Sequence, residues 1–533
     1  MPSLDWIGKK AVVDHHRKVP FHLLKCDASL SVGDPGSGNL LVEGDNLLAL
    51  KALLPYYAGQ VKCIYIDPPY NTGNENWVYN DAVNSPEMRE WLGQVVGREA
   101  EDLSRHDKWL CMMYPRLQLL REFLRTDGLL FVQIGLEESG HLRLLLDETM
   151  GAQCFRNAIV VRRGIKNVQA QFDTVDRLAS GHDTIYCYSR TKDSRLPRLQ
   201  HDLGQGEVGK WDTFWRGTDR PTMRYDLFGI VPEQGQWRWK KERALRAVNA
   251  YRVYLDEHAE SMSLDEYYLA ALREQGVDLD FVRQDEGGTV QYYVPPRSYK
   301  IISDVWMDVS TTGTVTDFPH EKHLELLTRI LSWVTGPQDI VLDSFAGSGS
   351  TGHAVLKINS IDGGRRQFVL VEMEQDICQT VTAPRLSRAV KGYIAGLADQ
   401  EERVGGLGGG FRYCRLGPSL FDETGSIRPE VRFADLAAHV YFVETGEPIP
   451  SRKNGPSPML GSHNGTAVYL LYNGILRDRS PDGGNVLTRA TLAALSAYDG
   501  RKVVYGTGCR LGAARLRRER ITFRQIPYEV RTT

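Results

Sequence analysis

The sequence predicts an α/β protein built on a mostly parallel β-sheet. Short apolar runs such as Val61–Ile66 and Gly128–Ile134 alternate with segments of helical periodicity, a pattern that is typical of strand–helix units. The 533-residue chain is 42% apolar and 25% charged, as in ordinary globular proteins, and its formal net charge is −2. These values exclude a fibrous chain and a general polyanion binder, so a nucleic-acid role requires a local basic face.

Each predicted strand is short and apolar, and each intervening helix repeats leucine every three or four residues. The helices are expected around Leu47–Leu53 and over Tyr114–Arg125. An antiparallel pair, Ala158–Val161 with Thr184–Tyr188, is expected to close one edge of the sheet. The remaining predicted strands of this sheet are Leu40–Glu43, Ile340–Leu342 and Phe368–Val371.

Two glycine-rich stretches, Gly33–Gly38 and Gly405–Gly410, predict linkers. They divide the chain into an N-terminal segment, two halves of one sheet separated by an insert, and a small α+β C-terminal domain. The predicted bounds are 1–36 for the segment, 37–190 and 301–404 for the two halves, 191–300 for the insert and 411–533 for the C-terminal domain.

Several features indicate a cytoplasmic protein without a metal. The sequence contains neither an apolar stretch long enough to cross a membrane nor an N-terminal secretory signal. The eight cysteines form no C-x-x-C pair and are expected to be reduced thiols. His320 and His323 lack a matching group of ligands, and the acidic pairs Glu137–Glu138 and Asp147–Glu148 are expected on solvated helix faces.

A glycine-rich turn follows the strand Ile340–Leu342. In Asp343–Gly352, the three glycines 347, 349 and 352 match G-x-G-x-x-G, which permits a tight turn and close approach of a ligand. Glu372 ends the next strand and is placed to accept hydrogen bonds from ribose hydroxyls. This pattern indicates an adenosine-bearing cofactor, either a nicotinamide dinucleotide or S-adenosylmethionine.

A second motif, Asp67-Pro68-Pro69-Tyr70, ends the strand Val61–Ile66. The prolines lack an N–H, so the Asp67 carboxylate and the Pro68 carbonyl can both serve as acceptors for an exocyclic NH₂ group. Tyr70 offers a flat face on which an extruded base can stack. The motif predicts an amine held as a nucleophile.

Together, DPPYNTG and the later DSFAGSGST resemble the β class of amino-methyltransferases that act on DNA bases, and in particular the modification subunits of type III restriction systems. The resemblance implies a Rossmann-like S-adenosylmethionine-dependent sheet, a target-recognition insert and methylation of adenine N6, for which DPPY is more usual than SPPY. It also extends to Gly44–Asp45, to Tyr114–Leu117, to Asp127–Val132 and to Phe318–Lys322. By this resemblance Asp67, Pro68, Pro69 and Tyr70 are catalytic; Asp45 and Asn71 lie near the base; and Asp343, Phe345, Ala346, Gly347, Ser348, Gly349, Glu372 and Lys322 bind the cofactor.

The insert and its N-terminal flank interleave aromatic and basic residues, as in surfaces that bind phosphates and bases. Residues 151–200 hold nine Lys or Arg against four Asp or Glu. The predicted contacts to duplex DNA are Arg162, Arg163, Lys166, Trp237, Arg238 and Lys240. Further expected partners are a helicase-nuclease restriction subunit and a second copy of the chain. Methylation of cytosine N4, RNA or protein glutamine remains open, as does a DNA-binding scaffold in a restriction complex.

Overall fold

The computed structural model describes residues 4–71, 93–94, 104–164, 178–310, 322–395, 402–450, 457–473, 480 and 483–526. The chain divides into two compact units. The larger comprises Met1–Pro197 and Asp304–Thr533, and the smaller comprises Arg198–Ser303. The sequence places the insert at 191–300, and the smaller unit covers most of that range.

The described residues form 25 strands, ten of which lie in one large sheet. In chain order they are β1 (His22–Gly33), β2 (Leu40–Glu43), β3 (Val61–Ile66), β4 (Leu124–Ile134), β5 (Phe155–Arg162), β6 (His182–Ser189), β7 (Gln200–Glu207), β8 (Lys210–Thr213), β9 (Trp215–Arg216), β10 (Gln236–Trp237), β11 (Val282–Gln284), β12 (Val290–Val294), β13 (Arg297–Ile301), β14 (Val305–Ser310), β15 (Ile340–Asp343), β16 (Gln367–Glu372), β17 (Gly392–Ala395), β18 (Glu402–Gly405), β19 (Gly410–Ser419), β20 (Met459–His463), β21 (Thr466–Leu470), β22 (Val486–Leu487), β23 (Arg501–Gly506), β24 (Gly508–Cys509) and β25 (Ile521–Gln525).

The α-helices are α1 (Lys9–Val12), α2 (His15–Lys18), α3 (Asn46–Tyr57), α4 (Arg105–Phe123), α5 (Leu136–Leu146), α6 (Lys241–Glu257), α7 (Leu264–Ala270), α8 (Leu324–Val334), α9 (Ser350–Asp362), α10 (Gln375–Ile377), α11 (Ala383–Lys391), α12 (Phe433–Thr445), α13 (Arg489–Ala494) and α14 (Ala513–Arg518). Among the described residues, no helix is long and apolar enough to cross a membrane.

The large sheet has ten strands in the order β1-β19-β2-β16-β15-β3-β4-β6-β5-β14. The six strands from β19 to β4 run parallel, which confirms the predicted α/β class. The predicted antiparallel pair β5–β6 is also present, although β14 lies outside it and forms the edge. Buried apolar side chains from the strands and from α3 and α4 form the core, which includes Leu53, Leu120, Ile64, Leu130 and Val369.

The expectation of a separate C-terminal domain after a linker is corrected. The stretch 405–410 does not begin a separate domain, because β19 lies between β1 and β2 in the large sheet. Moreover, Phe21 and Leu23 share a core with Leu436 and Val440 of α12. Beyond β19, the strands β20, β21, β23 and β25 form a smaller sheet.

Not all cysteines are reduced thiols. Cys26 on β1 and Cys414 on β19 form a disulfide, while the other six remain free. These two residues are 388 positions apart in the chain but face each other in the β1–β19 register. No local spacing rule connects them, so the sequence prediction was wrong for this pair.

Candidate active site

The two predicted motifs meet at one edge of the sheet. Strands β3 and β15 are parallel neighbours, with Leu342 beside Ile64. Asp343 is the last residue of β15, and Asp67 follows β3 directly. Since the carboxyl ends of adjacent parallel strands form the usual ligand-binding crevice of an α/β sheet, the glycine-rich turn and the DPPY motif face the same space.

The glycine-rich turn is held from within by two buried carboxyl groups. Asp343 accepts hydrogen bonds from the Phe345 amide at 3.0 Å and from the Thr351 hydroxyl at 2.6 Å. Glu372 accepts one from the Gly347 amide at 2.7 Å. Gly347 and Gly349 have φ of 50° and 78°, in the left-handed region that favours glycine. Asp343 therefore shapes the turn from inside.

The glycines also serve the packing of the protein itself. A Cβ on Gly349 would lie 3.0 Å from the Thr382 methyl group, and one on Gly352 would lie 2.8 Å from Leu386. From the sequence, these glycines were expected to allow the close approach of a ligand. The structure adds close packing against the segment that follows β16.

Burial raises the pKa of both carboxyl groups of the turn. The pKa of Glu372 rises to about 8 and that of Asp343 to about 7, in each case mainly because the buried carboxyl loses hydration. Hydrogen bonds from the backbone to Glu372, and from Thr351 and the Phe345 amide to Asp343, oppose these rises.

Asp67 is placed as an acceptor. Its Oδ2 forms an ion pair with Lys322 Nζ at 2.7 Å, and its side chain is 19% exposed. Its Oδ1 is buried and accepts no hydrogen bond from the residues that the structure describes. Loss of hydration raises the pKa of Asp67, and Lys322 opposes this rise. Oδ1 is thus an acceptor that can receive a donor from a bound ligand, and Lys322, which was expected at the cofactor, pairs with Asp67.

The rest of the motif is anchored from behind. The Pro69 carbonyl accepts a hydrogen bond from the buried Trp109 indole at 2.7 Å. The Tyr70 hydroxyl accepts one from Gln133 at 2.9 Å and donates one to Asp183 at 3.2 Å. A Cβ on Gly135 would lie 2.8 Å from the Tyr70 ring. None of these supports was predicted from the sequence, although the polar Gln133 at the end of the apolar run of β4 was a signal.

Asp45 and Asn71, the two residues expected beside the base, both form contacts within the protein. Asp45 caps α3 by accepting from the Leu48 amide at 2.9 Å and pairs with the buried Arg116 at 3.1 Å. Asn71 is fully buried, and its amide donates to Glu138 at 2.5 Å and to the Arg105 carbonyl at 3.2 Å.

Glu138 is 0% exposed, so the expected solvated position is wrong for this residue. Its carboxylate also accepts hydrogen bonds from His106 Nδ1 at 2.6 Å and from His141 Nδ1 at 2.8 Å. One candidate ligand atom from each of these three residues lies within 4.8 Å of the others, a grouping that could hold a metal ion. This grouping was not predicted from the sequence, in which His320 and His323 were the histidines considered for a metal.

The residues predicted to contact DNA differ in their exposure to solvent and in their partners within the protein. In the larger unit Arg162 is exposed, while Arg163 pairs with Asp183 at 3.6 Å. Lys166 lies outside the described residues, as do Phe318, Pro319, His320 and Glu321 of the motif that ends at Lys322.

In the smaller unit Trp237 is 3% exposed and belongs to the core, which corrects its expected contact with DNA. Lys240 is exposed, and Arg238 stacks 4.4 Å from the Tyr292 ring centre. Trp215, on β9, is 45% exposed. Hydrophobicity alone cannot tell which of two neighbouring tryptophans is buried.

A glycine-rich turn and a DPPY motif at adjacent strand ends are the arrangement that the resemblance to amino-methyltransferases implies. The chain belongs to the DNA methylase family, whose model matches residues 61–383 and so includes both motifs. S-adenosylmethionine is its cofactor, as the resemblance implied.

Two curated relatives illustrate the likeness. The chain is 28% identical to the type III restriction-modification enzyme EcoPI Mod subunit of Escherichia phage P1, over 72% of this chain and 65% of the relative. It is 28% identical to the type II methyltransferase M.KpnI of Klebsiella pneumoniae, over 66% of this chain and 84% of the relative. The chain thus spans just under two thirds of the length of the EcoPI Mod subunit.

Among solved structures, the PvuII DNA methyltransferase, described as cytosine-N4-specific, is similar over 66% of this chain and 90% of that chain, with 13% identity and a TM-score of 0.30.

The residues at the edge of the sheet fit the cofactor. Gly347 and Gly349 shape the turn, and Glu372 lies at the end of the neighbouring strand β16. Phe345 and Ala346 lie on the same turn, and both side chains are almost fully buried. In this arrangement Glu372 would bind the ribose hydroxyls, and the turn would cradle the rest of the cofactor.

Proposed function

We propose that this protein methylates adenine N6 at a specific site in duplex DNA, as the modification subunit of a type III restriction-modification system. The observation that carries the proposal is the buried acceptor Asp67 Oδ1, which receives no hydrogen bond from the described part of the chain and lies at the strand end beside the glycine-rich turn. An exocyclic amine held there lies at the same edge of the sheet as the cofactor site.

The proposed mechanism needs little from the protein beyond positioning and charge. S-adenosylmethionine supplies a methyl group on a sulfonium, which is already a good leaving group. Asp67 Oδ1 and the Pro68 carbonyl accept the two amine hydrogens and direct the nitrogen lone pair away from themselves. Tyr70 supplies a stacking surface for the flipped base, whose extrusion costs a few kcal/mol. Alignment of this kind contributes roughly 7–11 kcal/mol in favourable cases.

The DPPY sequence supports adenine as the target by resemblance, whereas the chemistry of the site suits any exocyclic amine. Type III Mod subunits and type II methyltransferases both occur among the relatives. Cytosine N4 is therefore the alternative outcome of the test.

We further propose that the exposed basic and aromatic residues of the two units contact duplex DNA. Arg162 in the larger unit and Lys240 and Trp215 in the smaller unit form this set, and the partly buried Arg238 lies close to Lys240 in the chain. Cations bind phosphates without regard to sequence, whereas an exposed indole can stack on a base. Arg162→Glu and Lys240→Glu should each reduce the slope of log K against log salt by about one if each contacts one phosphate.

For partners, we propose a restriction subunit and a second copy of the chain. Two relatives are named as Mod subunits of type III restriction-modification enzymes, which supports the first. Co-purification and light scattering test both partners.

The test of function uses purified full-length protein, tritiated S-adenosylmethionine and unmethylated duplex DNA, followed by nucleoside analysis. Label in N6-methyladenine is expected from the wild type and none from Asp67→Ala. Label in N4-methylcytosine would change the target base. Incorporation into RNA or protein but not duplex DNA would refute the proposed substrate.

A further inference from the structure

A hydrogen-bond cluster lies directly behind the DPPY motif and outside the groups used in the mechanism. Asn71, the residue after Tyr70, has φ of 58°, in the left-handed region, which asparagine adopts more readily than most other residues with a side chain. Contacts with the surrounding structure can fix this conformation. The contacts here are the two bonds from the Asn71 amide to Glu138 and to the Arg105 carbonyl.

Glu138 is itself held from both sides. His106, in the first turn of α4, donates to the same oxygen that Asn71 binds, and His141, one turn along α5, donates to the other oxygen. A buried carboxylate is costly unless its oxygens are hydrogen-bonded, and all three donors supply such bonds. Because α4 and α5 are packed helices, the carboxylate is a rigid point to which the loop is attached.

We infer that Glu138 is a positioning residue, which holds Asn71 in its left-handed conformation and thereby sets the direction of the Asp67 and Pro68 acceptors. His106 and His141 fix the carboxylate in turn. Glu138 acts through Asn71 and does not touch the base. This inference rests on the proposed function for its kinetic readout and extends it to a second layer of residues.

The test exploits the direction of the hydrogen bond. Asn71→Asp replaces the donor with an oxygen that faces the Glu138 carboxylate. We expect single-turnover methyl transfer to slow roughly 10- to 100-fold, the effect of losing a hydrogen bond to a charged group. In Asn71→Asp/Glu138→Gln, the glutamine amide can donate to the new carboxylate, so the rate should recover at least about threefold over Asn71→Asp. Affinity for S-adenosylmethionine should stay within about twofold of wild type, since its proposed binding residues are not altered.

Glu148→Gln is the matched control, because it makes the same change in a carboxylate that pairs with Lys9 at a partly exposed site on the helical turn after α5. It should keep the wild-type rate. Hydrogen–deuterium exchange provides a readout that needs no substrate. In Asn71→Asp, the backbone amides of residues 67, 70 and 71 should exchange faster than in the wild type. In Glu148→Gln, their exchange rates should equal those of the wild type.

The outcomes separate the two proposals. A wild type that methylates no DNA refutes the proposed function, while faster exchange at 67–71 still supports the positioning role. An active wild type with Asn71→Asp at full rate and unaltered exchange overturns the inference. The inference is also overturned if the protein holds stoichiometric zinc, if removal of this zinc abolishes activity and if His106→Ala eliminates the zinc. The histidine nitrogens would then bind metal and not donate to Glu138.

Discussion

Replacing Asp67 by asparagine should be far more damaging than its similar shape suggests. Lys322 Nζ lies 2.7 Å from Oδ2 and can only donate, so it will attract the oxygen of the new amide. The NH₂ group then occupies the position of Oδ1 and faces the amine of the base, donor against donor. Losing a hydrogen bond to a charged group costs about 1.5–3 kcal/mol. The expected loss in the rate of methyl transfer is therefore roughly 10- to 150-fold.

The assay is single-turnover transfer from tritiated cofactor at saturating DNA, with cofactor affinity measured by calorimetry. Affinity should remain near wild type. Asp67→Asn/Lys322→Met provides the internal control, because without the lysine the amide is free to rotate and present its oxygen, and part of the rate should return. An Asp67→Asn protein with more than about one third of the wild-type rate would refute this reasoning.

Three other changes follow from the structure. Gly135→Ala places a Cβ 2.8 Å from the Tyr70 ring, so crowding of about 1–3 kcal/mol should lower the rate of methyl transfer; an unchanged rate would show that the ring moves freely. The raised pKa of Asp343, about 7, means that the folded protein binds its proton more tightly than the unfolded chain. This contribution to stability is complete below about pH 4 and is lost as the pH rises through 7, so thermal melts of Asp343→Asn without cofactor should depend less on pH than those of wild type over that range. A chain ending at Gly405 lacks β19 and should not fold; soluble, cofactor-binding protein of that length would contradict the role of Gly410–Ser419 in the sheet.

The class of fold and the two motifs could be predicted because they depend on local sequence. Strand β3 and its DPPY end are contiguous, as are β15 and its glycine-rich turn, so periodicity and turn chemistry suffice. The pairing of β3 with β15 joins residues far apart in the chain, and only the resemblance indicated that they meet. The edge strand β14 and the insertion of β19 had no local signal.

The supports of the site were harder to predict for the same reason. Glu138 follows Glu137 on α5, and the sequence shows two like carboxylates at a helix start, where acidic residues are usually solvated. Glu138 differs from Glu137 because its neighbours in the fold are His106 and Asn71, which lie 32 and 67 positions earlier in the chain. Trp215 and Trp237 likewise differ only in the tertiary packing around them.

The ion pair at Asp67 explains how one carboxylate can remain in place throughout the proposed reaction. Lys322 binds Oδ2 before the base arrives, so the partly buried charge is already compensated while Oδ1 stays available. The amine can bind without breaking that pair, and no reorganisation is needed at the moment of transfer. After transfer the nitrogen carries a positive charge and must lose a proton. A carboxylate whose pKa burial has raised is a better acceptor for that proton than an ordinary aspartate, and the neighbouring Lys322 opposes the rise in the pKa. The same side chain thus orients the amine first and stands ready to take its proton afterwards.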